Sequence, residues 1–414
     1  MQQNYGQEYS ASVDIEPYND FKIDIDLNRS YSLFHTEDFR RNNILIDLEN
    51  AIQEDYEHLN VRDIGSITLS YITINTMNRD LVSLFKEFED NRVIVSQRLY
   101  GSAGLHDDDQ QAAAGYAEGY GRVQQAVLVP TFLSTYTGDD INTIPLDRFD
   151  PTKNLVDLFP LPNWTLRYNG LSKLKPFSDL FSRFSISHGY KSTITVNQFE
   201  SDFYFNADQP LTKKETTLDY YTQFEVPDIV ISEAFSPLLG INIETKTGLS
   251  TKLEYKKARN IQMNFLDGAL NETRREDFTF GFGYRISNFK MPFLKDNNRT
   301  KKTDDKPASA GGGRNRGGRG GSSSGLNEPG DLNISLDMSI AEDETYRLVL
   351  DQEVVEPTRG ARRVSLSPKI EYQYSDALNF RLFFDYTRNE PKVGSFPSTD
   401  ARGGIGIIFS LVGN

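Results

Sequence analysis

Residues 331–340 read Asp-Leu-Asn-Ile-Ser-Leu-Asp-Met-Ser-Ile. Leu332, Ile334, Leu336, Met338 and Ile340 alternate strictly with Asn333, Ser335, Asp337 and Ser339. Successive side chains of a strand point to opposite faces. One face here is pure hydrocarbon and the other polar. The pattern recurs in stretches of roughly ten residues, the length a tilted strand needs to cross a bilayer. It predicts strands with one face toward lipid and the other toward water.

Near the C-terminus, Ile405, Ile407, Phe409 and Leu411 share an apolar face, with Gly404 and Gly406 beside them. Leu378, Phe380, Leu382, Phe384 and Tyr386 oppose Asn379, Arg381, Phe383, Asp385 and Thr387. Val364, Leu366, Ile370 and Tyr372 precede them, and Pro368 on that face predicts a bulge or an edge. Tyr346, Leu348 and Leu350 read as a separate strand, turned back at Ala341 to Glu344. Phe278, Phe280, Phe282, Tyr284 and Ile286 oppose Thr279, Gly281, Gly283, Arg285 and Ser287. Lys257 and Arg259 interrupt the face running from Leu253 to Met263. They predict a bulge, or a strand leaving the bilayer. Leu239, Ile241 and Ile243 lie upstream, and Phe184, Ile186, Tyr190, Ile194 and Val196 oppose Arg183, Ser185, Lys191, Thr193 and Thr195. Trp164, Leu166 and Tyr168, then Ile67, Leu69 and Tyr71, and Phe21, Ile23, Ile25 and Leu27 complete the series. The count is about 15 strands.

The expected organisation is strands over 1–76, a partly helical extracellular or lumenal insertion over 77–162, strands over 163–290, a Gly/Arg/Ser-rich extracellular loop over 291–330, and strands over 331–414. Leu81, Leu84, Phe85 and Phe88 follow helical spacing after Asn78. Residues 123–133 contain Pro130 and read as a broken helix. Gly119 and Tyr120 lie in the Gly-, Ala- and Asp-rich connector between them. With the C-terminus periplasmic, the turns near Tyr18, Asp343 and Asp376 fall inside. The segments 77–162 and 291–330 fall outside, with Lys246-Thr247-Gly248 as the one exception. The fold expected is all-β, an antiparallel transmembrane barrel segment belonging to a larger barrel.

Composition sharpens this. The 414 residues are only 37% hydrophobic but 12% aromatic, with 27 Phe and 21 Tyr against one Trp. Barrels escape hydropathy because half of each strand is polar, and aromatic girdles flank the lipid band. There is no Cys, so no disulfide or thiolate chemistry exists. A net charge of -14 argues against a nucleic-acid partner. The first residues carry no basic and apolar leader. The expectation is a fragment whose export signal lies upstream.

Candidate chemistry is sparse. Arg314, Arg316 and Arg319 among glycines resemble an RGG tract, but no aromatic platform accompanies them. His106-Asp107-Asp108-Asp109 fits no EF-hand spacing. His35, His58 and His188 sit beside no triad pattern. No catalytic residue, metal or cofactor is expected. Arg183, Lys191, Thr279, Arg285, Asn333, Asp337, Arg381 and Asp385 are the expected lumen-facing residues.

Several non-repeating stretches occur in a recognisable order. They include Phe88-Glu89-Asp90-Asn91-Arg92, Ser96-Gln97-Arg98-Leu99, Gly115-Tyr116-Ala117-Glu118-Gly119-Tyr120-Gly121, and Gln124 through Leu133. Leu161-Pro162-Asn163-Trp164, Tyr168-Asn169-Gly170-Leu171-Ser172-Lys173-Leu174, Ser187-His188-Gly189-Tyr190, Phe235-Ser236-Pro237-Leu238-Leu239-Gly240 and Leu253-Glu254-Tyr255-Lys256-Lys257 follow. Ser395-Phe396-Pro397 and Gly404-Ile405-Gly406 close the series. Together these resemble the C-terminal part of the SprA family, called Sov in some species. These are the outer-membrane translocons of type IX secretion and gliding motility in Bacteroidota. The resemblance spans most of the chain, except the tract 301–330, and it lacks the family's N-terminal bulk.

The resemblance implies a very wide single-chain barrel that passes folded cargo carrying a C-terminal sorting domain. It implies a lateral opening, a PorV-type outer-membrane shuttle protein and a periplasmic plug protein as partners, outer-membrane lipid around the wall, and loops at the cell surface. We expect the lateral seam at Gly404, Ile405, Gly406, Ile407, Phe409 and Leu411. The alternatives are a complete porin or transporter of about 14–16 strands and a soluble all-β glycan-binding or glycan-processing protein. The last would need convergent carboxylates, and the sequence offers no such pair.

Overall fold

The computed structural model describes residues 1–42, 55–100, 104–147, 159–289, 330–352, 354–375 and 378–409. Its frame is one antiparallel sheet of twelve strands. In chain order they are β1 (Gln2–Tyr18), β2 (Phe21–Asn42), β3 (Asp55–Ser70), β4 (Asn163–Tyr168), β5 (Phe181–Ser201), β6 (Phe224–Thr245), β7 (Leu249–Asn264), β8 (Ala269–Phe289), β9 (Gly330–Val349), β10 (Val355–Ser375), β11 (Leu378–Pro391) and β12 (Ser398–Phe409). Each pairs with its sequence neighbours, except around β4.

Both β3 and β4 pair with β2 on one side and β5 on the other. Leu69 lies opposite Arg29 and Asn163 opposite Asp26, so β4 begins where β3 ends. The two are halves of one column. The segment between them is an excursion from the middle of a strand. It carries α1 (Leu81–Tyr100), α2 (Asp109–Ala113) and α3 (Gln125–Thr137). Twelve strands therefore make eleven columns.

The strand count differs from the expected 15 because strands are longer than the alternation suggests. β9 runs unbroken for 20 residues, and Ala341 to Glu344 are paired on both sides rather than turned. Their charges find partners: Lys392 pairs with Glu342 and Glu344. Pro368 lies inside β10 opposite Leu336, with no register shift there. Around it the ladder to β11 skips from Leu366 to Lys369 without a register shift, as a missing N–H requires. β1 falls within the strands expected over 1–76 and ends at the expected turn near Tyr18, although its alternation is broken by Gln7.

At one end of the sheet, the turn end, Tyr18 leads to Phe21, Thr245 to Leu249 and Ser375 to Leu378 through two or three residues. Gly248 has φ +87°, and a Cβ there would meet the Arg285 carbonyl oxygen at 2.5 Å, so only glycine fits this turn. Phe289 and Gly330 also lie at this end, opposite each other. The flanks of 291–330 are thus at the end with the short turns, not with the helices. The predicted turn at Asp343 does not exist, and the expected sorting of long and short connections by side fails at this loop. The tract 301–330, with Arg314, Arg316 and Arg319, lies outside the described residues, apart from Gly330.

The helices pack near the opposite end, the cover end. Leu81, Leu84, Phe85 and Phe88 of α1 join Leu128, Phe132, Leu133 and Tyr136 of α3. They rest on Ile67, Leu69, Ile194, Val196, Ile229, Ile231, Ile261, Met263, Leu270 and Leu348 from six strands. Each fully buried side chain of this size contributes roughly 1.5–3 kcal/mol. Asp80, not Asn78, caps α1 by accepting from the Ser83 N–H at 2.9 Å. α3 runs through the buried Pro130 as one 13-residue helix, not a broken one.

A candidate membrane belt and its helical cover

Strand register decides what alternation alone leaves open: whether the apolar faces of separate strands coincide. They do. Ile186 lies opposite Ile241, Ile241 opposite Leu253 and Leu253 opposite Phe280. Phe280 lies opposite Met338, Met338 opposite Leu366 and Leu366 opposite Tyr386. One row toward the turn end, Phe282 meets Leu336. Leu382 meets Ile370 and Ile405. Across the split column, Ile23 meets Leu166 and Ile25 meets Trp164. From Phe278 to Ile286 the belt extends about 27 Å along β8, at ~3.3–3.4 Å per residue. That is the order of a barrel's lipid-facing band, about 25 Å tall.

From β7 to β11 the belt stops at a row of charges on the same face, while on β2, β4, β5 and β6 that row is still apolar, as Ile25, Trp164, Tyr190 and Phe235. Phe235 faces Lys257, Lys257 faces Glu276, Glu276 faces Glu342, Glu342 faces Arg362, and Arg362 faces Glu390. Lys257 and Glu276 pair at 3.2 Å. β7 keeps unshifted register with β8 here, so Lys257 and Arg259 mark the edge of the belt. The irregularity sits on β6, between Phe235 and Leu239.

A second row, Glu233, Arg259, Arg274 and Glu344, follows on the same face, and beyond it the apolar alternation resumes, where the helices lie. Leu270 and Phe280 share one face of β8, as do Leu348 and Leu336 of β9. The cover therefore packs on the belt side of the sheet. Of the two expected places for the insertion, extracellular or lumenal, packing on this face is at odds with the lumenal one: the apolar faces of β3 and β5 to β9 continue past the belt and require covering.

A buried ion pair stitches the excursion to the sheet. Arg259 and Glu233 pair, with side chains 1% and 0% exposed. Thr73 Oγ1 donates to Glu233 at 2.6 Å, and Arg259 donates to the Thr76 carbonyl oxygen at 2.9 Å. The Thr73 N–H donates to Tyr190 OH at 3.0 Å. At the far side, Arg92 of α1 pairs with Asp351 of the β9–β10 hairpin, whose N–H donates to Glu89 at 2.7 Å. Burial raises the Glu89 carboxyl above its ordinary range. Sequence reasoning missed Glu233, Thr73 and Thr76; the one signal was a charge at an apolar register position.

The connector is a docking element for the loop 202–223. Gly119 has φ +72°, and a Cβ there would strike the Tyr220 ring at 2.2 Å. Tyr120 meets Tyr220 edge-on at 5.3 Å. His106 Nε2 lies 3.2 Å from Asp219, while its Nδ1 accepts from the Asp108 N–H at 3.0 Å. Asp108 caps α2 and Asp107 pairs with Lys213. The acidic run is thus engaged in caps and pairs. Among the described residues no cluster of His, Asp and Glu is placed to hold a metal.

The eight polar residues singled out above all lie on the face opposite the belt. Arg285, Asn333, Glu371 and Arg381 form a cross-strand row. Thr279 faces Ser339, Asp337 faces Gly281, Arg183 faces Glu244, Lys191 faces Ala234 and Asp385 faces Arg402. Ile405, Ile407 and Phe409 are 79%, 67% and 64% exposed, because β12 pairs only with β11 among the described residues. Gly404 and Gly406 sit opposite Phe383 and Arg381, and a Cβ on Gly404 would lie 3.0 Å from the Phe383 ring. Leu411 lies outside the described residues.

No helix among the described residues is long and apolar enough to cross a membrane, which leaves the strands untouched. No family model and no curated protein matches the chain.

Proposed function

We propose that this chain is part of the wall of an outer-membrane β-barrel. The belt faces lipid, the opposite face lines an aqueous path, and the turn end is periplasmic. The observation that carries this is the belt itself. Apolar positions of separate strands fall into register across the sheet and, from β7 to β11, end at a charged row. A soluble sheet core would need a second layer over the belt, and among the described residues only its margin, around Trp164, Tyr190, Phe235 and Leu238, and the part beyond the charged row have one.

Eleven columns is an odd number, whereas bacterial single-chain barrels close with even numbers. Closure thus calls for strands beyond those described, which favours a segment of a larger barrel over a complete porin. On the resemblance given above, we assign that barrel to protein translocation by type IX secretion, linked to gliding motility. Its action is gated conduction rather than chemistry. Small and polar residues line the path, the seam lies at β12, and a PorV-type shuttle, a periplasmic plug and sorting-domain cargo are its partners.

The test is crosslinking in cells during cargo release. Cys at Ile405 or Ile407 should crosslink to a PorV-type partner, and Cys at Leu336 should not. Crosslinks at mid-wall positions alone would place the opening elsewhere. Unchanged export of sorting-domain cargo on loss of the protein would remove the translocon assignment.

A further inference from the structure

Residues 169–180 join β4 to β5 at the turn end, with apolar residues at every third position: Leu171, Leu174, Phe177 and Leu180. The segment forms a 3₁₀ turn, Gly170–Lys173, and then α4, Phe177–Leu180. It is tied down. The Asn169 N–H donates to the Asp20 carbonyl oxygen at 2.9 Å, and the Lys246 N–H donates to that of Leu180 at 3.1 Å. Lys173 Nζ pairs with Asp20 at 2.6 Å.

A segment so well anchored nevertheless presents its hydrocarbon outward. Leu174, Phe177 and Leu180 are 50%, 37% and 62% exposed. The Phe177 ring stacks on Phe181 at 6.1 Å and meets Phe184 at 5.9 Å. Phe184 is a belt residue, opposite Ile243. The exposed patch therefore continues the belt past its last strand row. Lys173, Lys175 and Lys246 border it, in a chain whose net charge is -14. Among the described residues Lys175 and Lys246 have no ion-pair partner. Asp179 is the segment's one acid.

Exposed apolar side chains beside lysines, held flat at the rim of an apolar band, have the chemistry of an interfacial anchor. We propose that residues 170–180 are a foot seated on the anionic phospholipid of the leaflet at the turn end, fixing the depth of the wall in the bilayer. This rests on the membrane reading above, and the test separates the two.

The chain has no Cys, so single cysteines report cleanly. Leu180→Cys, Asp179→Cys and the belt control Phe280→Cys are probed with a water-soluble maleimide in membranes from producing cells. A tail-photoactivatable phosphatidylglycerol is the lipid probe. We expect Phe280→Cys and Leu180→Cys to be protected until detergent is added, Asp179→Cys to react throughout, and the foot to crosslink to the phospholipid. Lys175→Glu and Lys246→Glu should each lower that crosslinking by about fivefold. If Phe280→Cys is protected while Leu180→Cys reacts like Asp179→Cys, the foot is overturned and the membrane reading stands. Protection without lipid crosslinking assigns the patch to a protein neighbour and overturns the foot as well. Equal crosslinking from phosphatidylcholine overturns the anionic preference. Free reaction of Phe280→Cys overturns both.

Discussion

At the scale of residues, the belt and the ion pair behind it make opposite demands on charge. Phe280, Leu336 and Leu382 occupy central belt positions, and an Arg at mid-bilayer on a barrel's lipid face costs roughly 2–4 kcal/mol. Arg at any of them should reduce assembled protein in the membrane fraction. Arg at Ser335 or Thr279, one residue away on the opposite face, should be mild. Equal tolerance of both sets would remove the case for a membrane wall. At Glu233 and Arg259 the charges are already buried, and each keeps the other satisfied. Removing one partner of such a pair costs roughly 3–5 kcal/mol, while replacing both is often far milder. Arg259→Met should therefore open residues 71–77 to protease, and Glu233→Gln with Arg259→Met should recover much of the protection. A double variant as sensitive as the single one would show that the pair does more than satisfy itself.

At the scale of elements, the excursion and the loop 202–223 hold each other. Asp107 and Glu118 raise the Lys213 ammonium above its ordinary range, through hydrogen bonds from Lys213 to both carboxylates. Lys213, and then Tyr100, hold Glu118 below its own. A lowered carboxylate contributes above its unfolded pKa, and that contribution is lost as pH falls through the folded value. A raised ammonium contributes below its unfolded pKa and loses this as pH rises through the folded value. The contact is thus complete from about pH 5 to about pH 10 and weakens outside that window. These groups are partly solvated, so the effect is modest. Lys213→Met should raise cleavage within 202–223 by no more than about fivefold at neutral pH. The wild-type rate should climb toward the variant's as pH falls below about 4. A difference that persists at low pH would assign the loss to packing against Tyr220 instead.

At the scale of the whole molecule, the 20 residues of β9 span about 63 Å at ~3.3 Å per residue, twice what a bilayer requires. On the membrane reading proposed above, the wall would stand well clear of lipid at the cover end, with the helices over that projecting part. If this is a segment of a wider barrel, β1 and β12 need partners from outside the eleven columns, since unpaired edges are costly in lipid. The 414-residue chain alone should fail to form a heat-modifiable, protease-resistant monomer in detergent or lipid. A closed, heat-modifiable monomer would instead favour the porin-like reading.

Strict alternation in β8, β9 and β11 was legible in the sequence because side-chain direction has a period of two and depends on nothing distant. So was the placement of Thr279, Asn333 and Asp385 on the face opposite the belt, and the α1 face Leu81/Leu84/Phe85/Phe88 for the same local reason at a different period. Where one strand ends was not. Ala341 to Glu344 look like a turn until Lys392 and the neighbouring strands supply their partners. Nor could spacing show that β3 and β4 are one column, since residues as far apart as Ser70 and Asn163 become neighbours only through their shared pairing with β2 and β5. The side of the sheet on which the helices lie follows from register between six strands. So does the charged row that ends the belt on β7 to β11. Register is a property of pairs of strands, and a chain read one residue after another carries only half of each pair.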